Sequence, residues 1–184
     1  MRNLVLIITA AFVLSCEDAT FERTYLIRQG EHYATNKGVE ALQSNTLEFY
    51  ATFDRTAMYD LGDNALQSNK NKLMGFSDCN SLHHENSARF AWQWYGGKLE
   101  IFAYCYANGA RMEQYIGTVG IGKKNKYSIR CMPGRYEFKL NNQEIVKIER
   151  GTTCDKGFYY MLWPYFGGAI PAPHDITILI ERIY

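Results

Sequence analysis

Apolar and polar residues alternate through many short stretches of this chain. In residues 47–54 (LEFYATFD), Leu47, Phe49, Ala51 and Phe53 fall on one side, with Glu48, Tyr50, Thr52 and Asp54 on the other. A period of two marks a strand with one buried face. The longest such pattern runs from His83 to Tyr106, HHENSARFAWQWYGGKLEIFAYCY, and predicts two strands joined at Gly96-Gly97. Adjacent glycines suit a two-residue hairpin turn because both can take positive φ without a Cβ clash. Register then follows by counting outward: Tyr95 meets Lys98, Trp94 Leu99, Gln93 Glu100, Trp92 Ile101, and Arg89 Tyr104. One face gathers Phe90, Trp92, Trp94, Leu99, Ile101, Ala103 and Cys105 and reads as core, which makes both tryptophans structural. The other gathers Ser87, Arg89, Gln93, Tyr95, Lys98, Glu100, Phe102, Tyr104 and Tyr106, too aromatic for plain solvent and too polar for a core. A slip of one residue would exchange the two faces.

Further strands are predicted at residues 24–28 (TYLIR), 72–77, 114–121, 126–131, 135–140, 144–149, 158–163 and 175–183. Asn108-Gly109, Pro133-Gly134 and Asn141-Asn142 supply turns. Residues 29–46 read as loop with one helical turn around Val39–Leu42, and the Asn-, Asp- and Gly-rich residues 60–71 as an exposed loop. ALQSN occurs at residues 41–45 and 65–69 with unlike flanks, so it marks no repeat. About ten short strands at roughly 8–12-residue spacing, with minimal helix, predict an all-β antiparallel sandwich or jelly roll. The last strand is expected to pair with TYLIR. In outline the pattern resembles concanavalin-like jelly rolls, the fold of many lectins, glycan hydrolases and polysaccharide lyases. That resemblance implies a carbohydrate ligand, although a fold does not fix a function.

The chain opens MRNLVLIITAAFVLSCED. Its apolar run from Leu4 to Leu14 has the length of a signal-peptide core and falls short of the ~20 residues that span a bilayer. Val13-Leu14-Ser15-Cys16 resembles the bacterial lipobox, which implies that Cys16 is lipidated and becomes the mature N-terminus. Glu17-Asp18 is similar to the export signal of surface lipoproteins in Bacteroidota. The expected organisation is a signal peptide over residues 1–15, a lipidated tether over 16–23 and a β-sandwich over 24–184. The protein would then sit in the cell envelope, at the outer-membrane surface, held by acyl chains. The other four cysteines, Cys79, Cys105, Cys131 and Cys154, allow three disulfide pairings or buried thiols, and show no zinc spacing.

Net charge is +1, so nothing global points to nucleic acid. Residues 17–63 carry nine acids against four bases and residues 120–150 eight bases against three acids. Such a split fits solvated strand faces, or a basic patch facing an anionic ligand.

Chemistry concentrates on the polar face of the hairpin. Phe102, Tyr104 and Tyr106, with Tyr165 from the YFGG corner, offer flat rings for the C–H faces of sugars. Arg89, Gln93 and Glu100 offer directional hydrogen bonds. The alternative packs Phe102 and Tyr104 beneath a loop and pairs Arg89 with Glu100. His83 and His84 stand at the mouth of this face. The set His84, Arg89, Gln93 and Tyr104 resembles that of uronate-cleaving lyases, which implies that Arg and Gln offset the substrate carboxylate. In that chemistry His or Tyr takes the C5 proton and Tyr protonates the leaving oxygen. A glycosidase needs two carboxylates about 5–9 Å apart; Glu100 is one, and Glu48 or Asp54 would have to lie alongside as the other. No metal or cofactor is expected; a calcium ion in residues 60–71 is the one alternative, without EF-hand spacing. An outer-membrane protein docked on the aromatic face is the rival partner.

Overall fold

The computed structural model describes residues 20–151 and 159–184. Its strands are β1 (Thr20–Ile27), β2 (Ala41–Leu42), β3 (Thr46–Phe53), β4 (Asn71–Ser77), β5 (Ser87–Tyr95) and β6 (Lys98–Ala107), followed by β7 (Ala110–Val119), β8 (Asn125–Met132), β9 (Arg135–Leu140), β10 (Val146–Glu149), β11 (Tyr159–Leu162) and β12 (Ile176–Ile183). They form two six-stranded sheets, ordered β1-β12-β3-β8-β9-β10 and β2-β11-β4-β5-β6-β7, with every pairing antiparallel. The architecture is the jelly-roll sandwich that the strand pattern predicts. β1 pairs with β12 along its length, as expected for TYLIR. No helix among the described residues is long and apolar enough to cross a membrane.

The core lies between the inward faces of the two sheets. β3 alternates without a break, burying Leu47, Phe49, Ala51 and Phe53. Across the interior, Phe49 meets Phe90 edge-on at 6.1 Å and Phe53 meets Trp92 at 5.1 Å between ring centroids. Phe90 in turn meets Phe138 at 5.2 Å. Such offset and edge-on pairs add to the burial of large rings.

At one end of the core, Asp78 is fully buried against Arg150. Arg150 donates from Nε to Oδ2 at 2.5 Å and from Nη2 to Oδ1 at 2.9 Å. The Tyr136 hydroxyl donates to Oδ2 at 2.7 Å, and the Cys79 N–H to Oδ1 at 2.7 Å. Burial opposes the Asp78 charge, yet the bonds from Arg150 and Tyr136 outweigh it and hold the carboxyl below its usual value. Cys131 also packs against this carboxylate, and Cys105 is buried on the core face of β6. Cys16, Cys154 and the whole signal and lipobox segment lie outside the described residues.

Three local expectations are corrected. Residues 39–42 hold no helical turn: Ala41 and Leu42 pair with β11, because the open edge of β11 takes up their backbone groups. Residues 60–71 are more than loop, since Asp63 caps a short helix α1 (Asn64–Gln67) by accepting from the Ala65 and Leu66 N–H groups. Asp60 likewise accepts from Gly62, and among the described residues no three His, Cys, Asp or Glu side chains gather to hold a metal. Glu48 lies in the opposite sheet and Asp54 just beyond the end of its strand. Glu48 pairs with Lys126 on its outer surface, and Asp54 caps a 3-10 turn, so neither joins the hairpin's polar face.

Replacing Asp78 with Asn should cost about 3–5 kcal/mol in urea unfolding, because Arg150 is left buried and charged. Since the Asp78 pKa is depressed on folding, the wild type keeps this stabilisation above its unfolded value of 3.8 and loses it as pH falls below that. The Asp78→Asn protein should lack that acid limb.

Candidate functional site

The Gly96-Gly97 turn has both glycines at positive φ, +56° and +74°, and the hairpin register matches the count outward from it. Phe90, Trp92, Leu99, Ile101, Ala103 and Cys105 are therefore core, with Trp94 packed against them. On the opposite face the side chains fall into rows across β4–β7. Ser87 meets Tyr106, which meets Arg111; Arg89 meets Gly75 and Tyr104, and Tyr104 meets Glu113. A bulge in β4 between Lys72 and Gly75 inserts one residue, so that both point to this face while Leu73 and Met74 enter the core. Gly75 must be glycine: a Cβ there would lie 2.1 Å from the Ala88 carbonyl oxygen and 2.7 Å from Arg89 Cγ.

Two segments wall this face. Tyr165 bridges to Tyr33 on one side and to Lys72 on the other, and its ring stacks on His32 at 5.2 Å. Between wall and sheet lies an open cavity of about 520 Å³. Tyr33, Tyr104, Tyr106, Trp163 and Tyr165 supply its rings, and Lys37, Lys72, Arg89 and Arg111 its cations, with His83 and His84 at the rim. Among the described residues no carboxylate lines it; the acid closest in effect is Glu113, at the edge on β7.

Arg89 is only 8 % exposed. Its Nη2 donates to the Trp163 carbonyl at 2.6 Å, while Nε is buried with no hydrogen-bond partner among the described residues. Burial draws this guanidinium down to about 10, and the neighbouring Tyr104 and Tyr165 only partly offset that. Lys72 Nζ donates to the carbonyls of Lys70 at 2.9 Å and Gly167 at 3.0 Å, and lies 5.1 Å from the centre of the Tyr104 ring. Burial, then repulsion from Arg89 and Arg111, pushes Lys72 down to about 8, with Glu113 pulling weakly the other way. Burial and the neighbouring Tyr106 push Tyr104 up to about 12, so its hydroxyl keeps its proton at neutral pH. His83 is held below the usual histidine range by burial, then by His84 and Arg89.

Of the residues singled out from sequence, His84, Arg89, Tyr104, Tyr106 and Tyr165 come together here. Gln93, Glu100 and Phe102 do not line the cavity. Gln93 Nε2 donates to Glu100 at 2.5 Å and Gln93 Oε1 accepts from Lys70 at 2.9 Å, so the three polar groups satisfy one another. Phe102 is buried beneath the Lys70 ammonium, 4.4 Å from its ring centre. The alternative Arg89–Glu100 pair does not form either. Sequence reasoning missed Lys72, Arg111, Lys37, Tyr33 and Trp163. The bulge that turns Lys72 inward leaves no mark in the alternation. Arg111 could have been found by extending the register through the Asn108-Gly109 turn.

No family model matches this chain, and no curated protein matches it in sequence. Solved structures do share its fold. An alginate lyase from Klebsiella pneumoniae superposes with a TM-score of 0.56 at 8% identity, over 76% of this chain and 59% of the lyase. This chain thus spans less than two thirds of that enzyme. A glycoside hydrolase family 16 endo-glucanase from Bacteroides ovatus gives 0.54 at 12% identity, covering 88% of this chain and 80% of the other. The laminarinase catalytic domain from Thermotoga maritima gives 0.57 at 12%, covering 88% and 76%. At these identities the likeness defines the fold, a jelly-roll sandwich common to lyases and hydrolases of glycans.

Lys72 gives this site a titration that can be read directly. Its ammonium should show a midpoint near pH 8 by nitrogen-detected NMR. Arg89→Ala, which removes a neighbouring positive charge, should move that midpoint upward. Because the native chain releases this proton earlier than the unfolded one, Lys72 opposes folding below pH 8. That penalty should fade as pH rises from about 8 towards 10.5.

Proposed function

We propose that the cavity on the β4–β7 face binds carbohydrate, and that acyl chains on Cys16 hold the protein at the outer surface of a bacterial envelope. The observation that carries the first part is the composition of the cavity: five aromatic side chains surround buried, oriented donors in about 520 Å³. Flat rings suit the C–H faces of sugars, and fixed donors suit their oxygens. The fold shared with lyases and hydrolases of glycans supports the same reading. The lipobox-like VLSC and the acidic pair after it support the second part.

A second reading is a polysaccharide lyase acting on uronates. It is favoured by Arg89, Tyr104 and His84 lining one cavity, with His84 edge-on to Tyr106 at 5.4 Å. There Arg89 would offset the carboxylate, a histidine would take the C5 proton, and the protonated Tyr104 would return one to the leaving oxygen. Gln93, satisfied by Glu100 and Lys70, takes no part. Hydrolysis by paired carboxylates finds no pair in the described lining.

In affinity gels the protein should be retarded by at least one polysaccharide. Tyr104→Ala and Tyr165→Ala should each weaken that retardation by up to about tenfold, the scale of one ring contact. No retardation across a broad panel would end the binding reading. Incubation with alginate, pectin and glycosaminoglycans separates the lyase from the binder: absorbance rising at the unsaturated-uronate band marks the enzyme, and a flat trace removes it. For the anchor, Cys16→Ser should abolish incorporation of labelled fatty acid and move the protein from the membrane to the soluble fraction.

A further inference from the structure

Three arginines are buried among the described residues, and they are treated differently: Arg150 and Arg182 each meet a carboxylate, Asp78 and Glu40, whereas Arg89 meets none. Arg150 meets Asp78 with two bonds. Arg89 is as deeply buried, yet among the described residues it donates only to a neutral carbonyl, and its Nε has no partner there. A buried charge without a counter-charge is costly. Here the cost is compounded, because Lys72 and Arg111 share the cavity and no carboxylate among the described residues lines it. Lys72 is also unfinished as a donor. An ammonium has three N–H groups, and Lys70 and Gly167 accept two of them.

We propose that the glycan carries an acid group, a carboxylate or a sulfate, seated between the Arg89 guanidinium and the third N–H of Lys72. This rests on the carbohydrate reading above and adds its substrate class. An anion there relieves the repulsion among Lys72, Arg89 and Arg111 and accepts charge-assisted hydrogen bonds, which are stronger than neutral ones. A neutral sugar leaves all three cations uncompensated. Gly75 belongs to the same device, since its missing Cβ is what lets the Arg89 side chain lie across β4. Tyr165, its ring 5.8 Å from the Lys72 ammonium, would carry the ring of the same residue whose acid group is held.

The test uses the full chain in affinity gels with matched polymers: polygalacturonate against its carboxyl-reduced form, and dextran sulfate against dextran. The acidic member of at least one pair should bind at least about tenfold more tightly than its neutral partner, the scale of a hydrogen bond to a charged group. Arg89→Ala should bring that ratio close to one, and Lys72→Gln should lower it several-fold. A preference for polygalacturonate alone assigns a carboxylate, for dextran sulfate alone a sulfate, and for both an anion held by charge. Thermal melts establish that each variant is folded; if Arg89→Ala is not, the Lys72→Gln ratio decides. Equal binding within both pairs, or a preference that survives the folded variants, overturns the acid seat while leaving the carbohydrate reading intact. No retardation by any of the four polymers overturns the acid seat, while the carbohydrate reading falls only if the broad panel also gives none.

Discussion

The parity of the β5–β6 hairpin is the constraint on which the rest of this structure depends. Side chains alternate across a strand, so a turn of two residues decides which set meets the opposite sheet. Gly96 and Gly97, both at positive φ, supply that turn. With the parity set, Phe90 and Trp92 enter the core against Phe49 and Phe53. The same parity sends Arg89, Tyr104 and Tyr106 outward to floor the cavity. Core and site are therefore two consequences of one turn, and a change that slipped the register would lose both.

The β4 bulge adds a second reversal of parity beside the first. Leu73 and Met74 are both core, which a regular strand could not achieve with adjacent residues. The extra residue brings Lys72 and Gly75 onto the outer face together, one supplying an ammonium and the other the room for Arg89. A bulge beside a concentration of buried charge fits the habit of bulges to re-aim side chains at sites. Within this fold the two glycine-dependent features, turn and bulge, do separate work: one selects the face, the other furnishes it.

Much of this was legible in the sequence, and the boundary has a physical meaning. Strand alternation, the hairpin register and the pairing of TYLIR with the last strand follow from period and turn chemistry, which are local. So does the core assignment of Trp92. What stayed hidden depends on contacts between distant segments. Asp78 and Arg150 are 72 positions apart, in a polar loop and after an edge strand, and nothing near either announces the other. Tyr33 reaches the site only because it bridges to Tyr165. Counting charge along the chain also pointed elsewhere. Lys124 and Lys126, from the basic residues 120–150, pair with Glu181 and Glu48 in the other sheet, while the cavity's cations come from four separate segments, one loop and three strands. Gln93 and Glu100 face each other as counted, but mutual satisfaction removed them from the site.

The contrast between Arg89 and the two buried arginines that hold a carboxylate, Arg150 and Arg182, carries the functional argument further than the shape of the cavity does. If buried cations were merely tolerated in this sandwich, Arg150 would not need to donate two bonds to a buried carboxylate, itself fastened by Tyr136 and a backbone N–H. Where the fold needs a buried guanidinium for its own stability, it supplies the counter-charge from within. At Arg89 the counter-charge is absent among the described residues, although Glu100 lies on the same face of the hairpin only two rows away. Glu100 is instead turned to Gln93, whose carbonyl oxygen takes the Lys70 ammonium, so the nearest acid on the hairpin is engaged and kept from quenching the cavity. A pocket kept positive at a cost to the fold is one whose compensation arrives from outside, with the ligand.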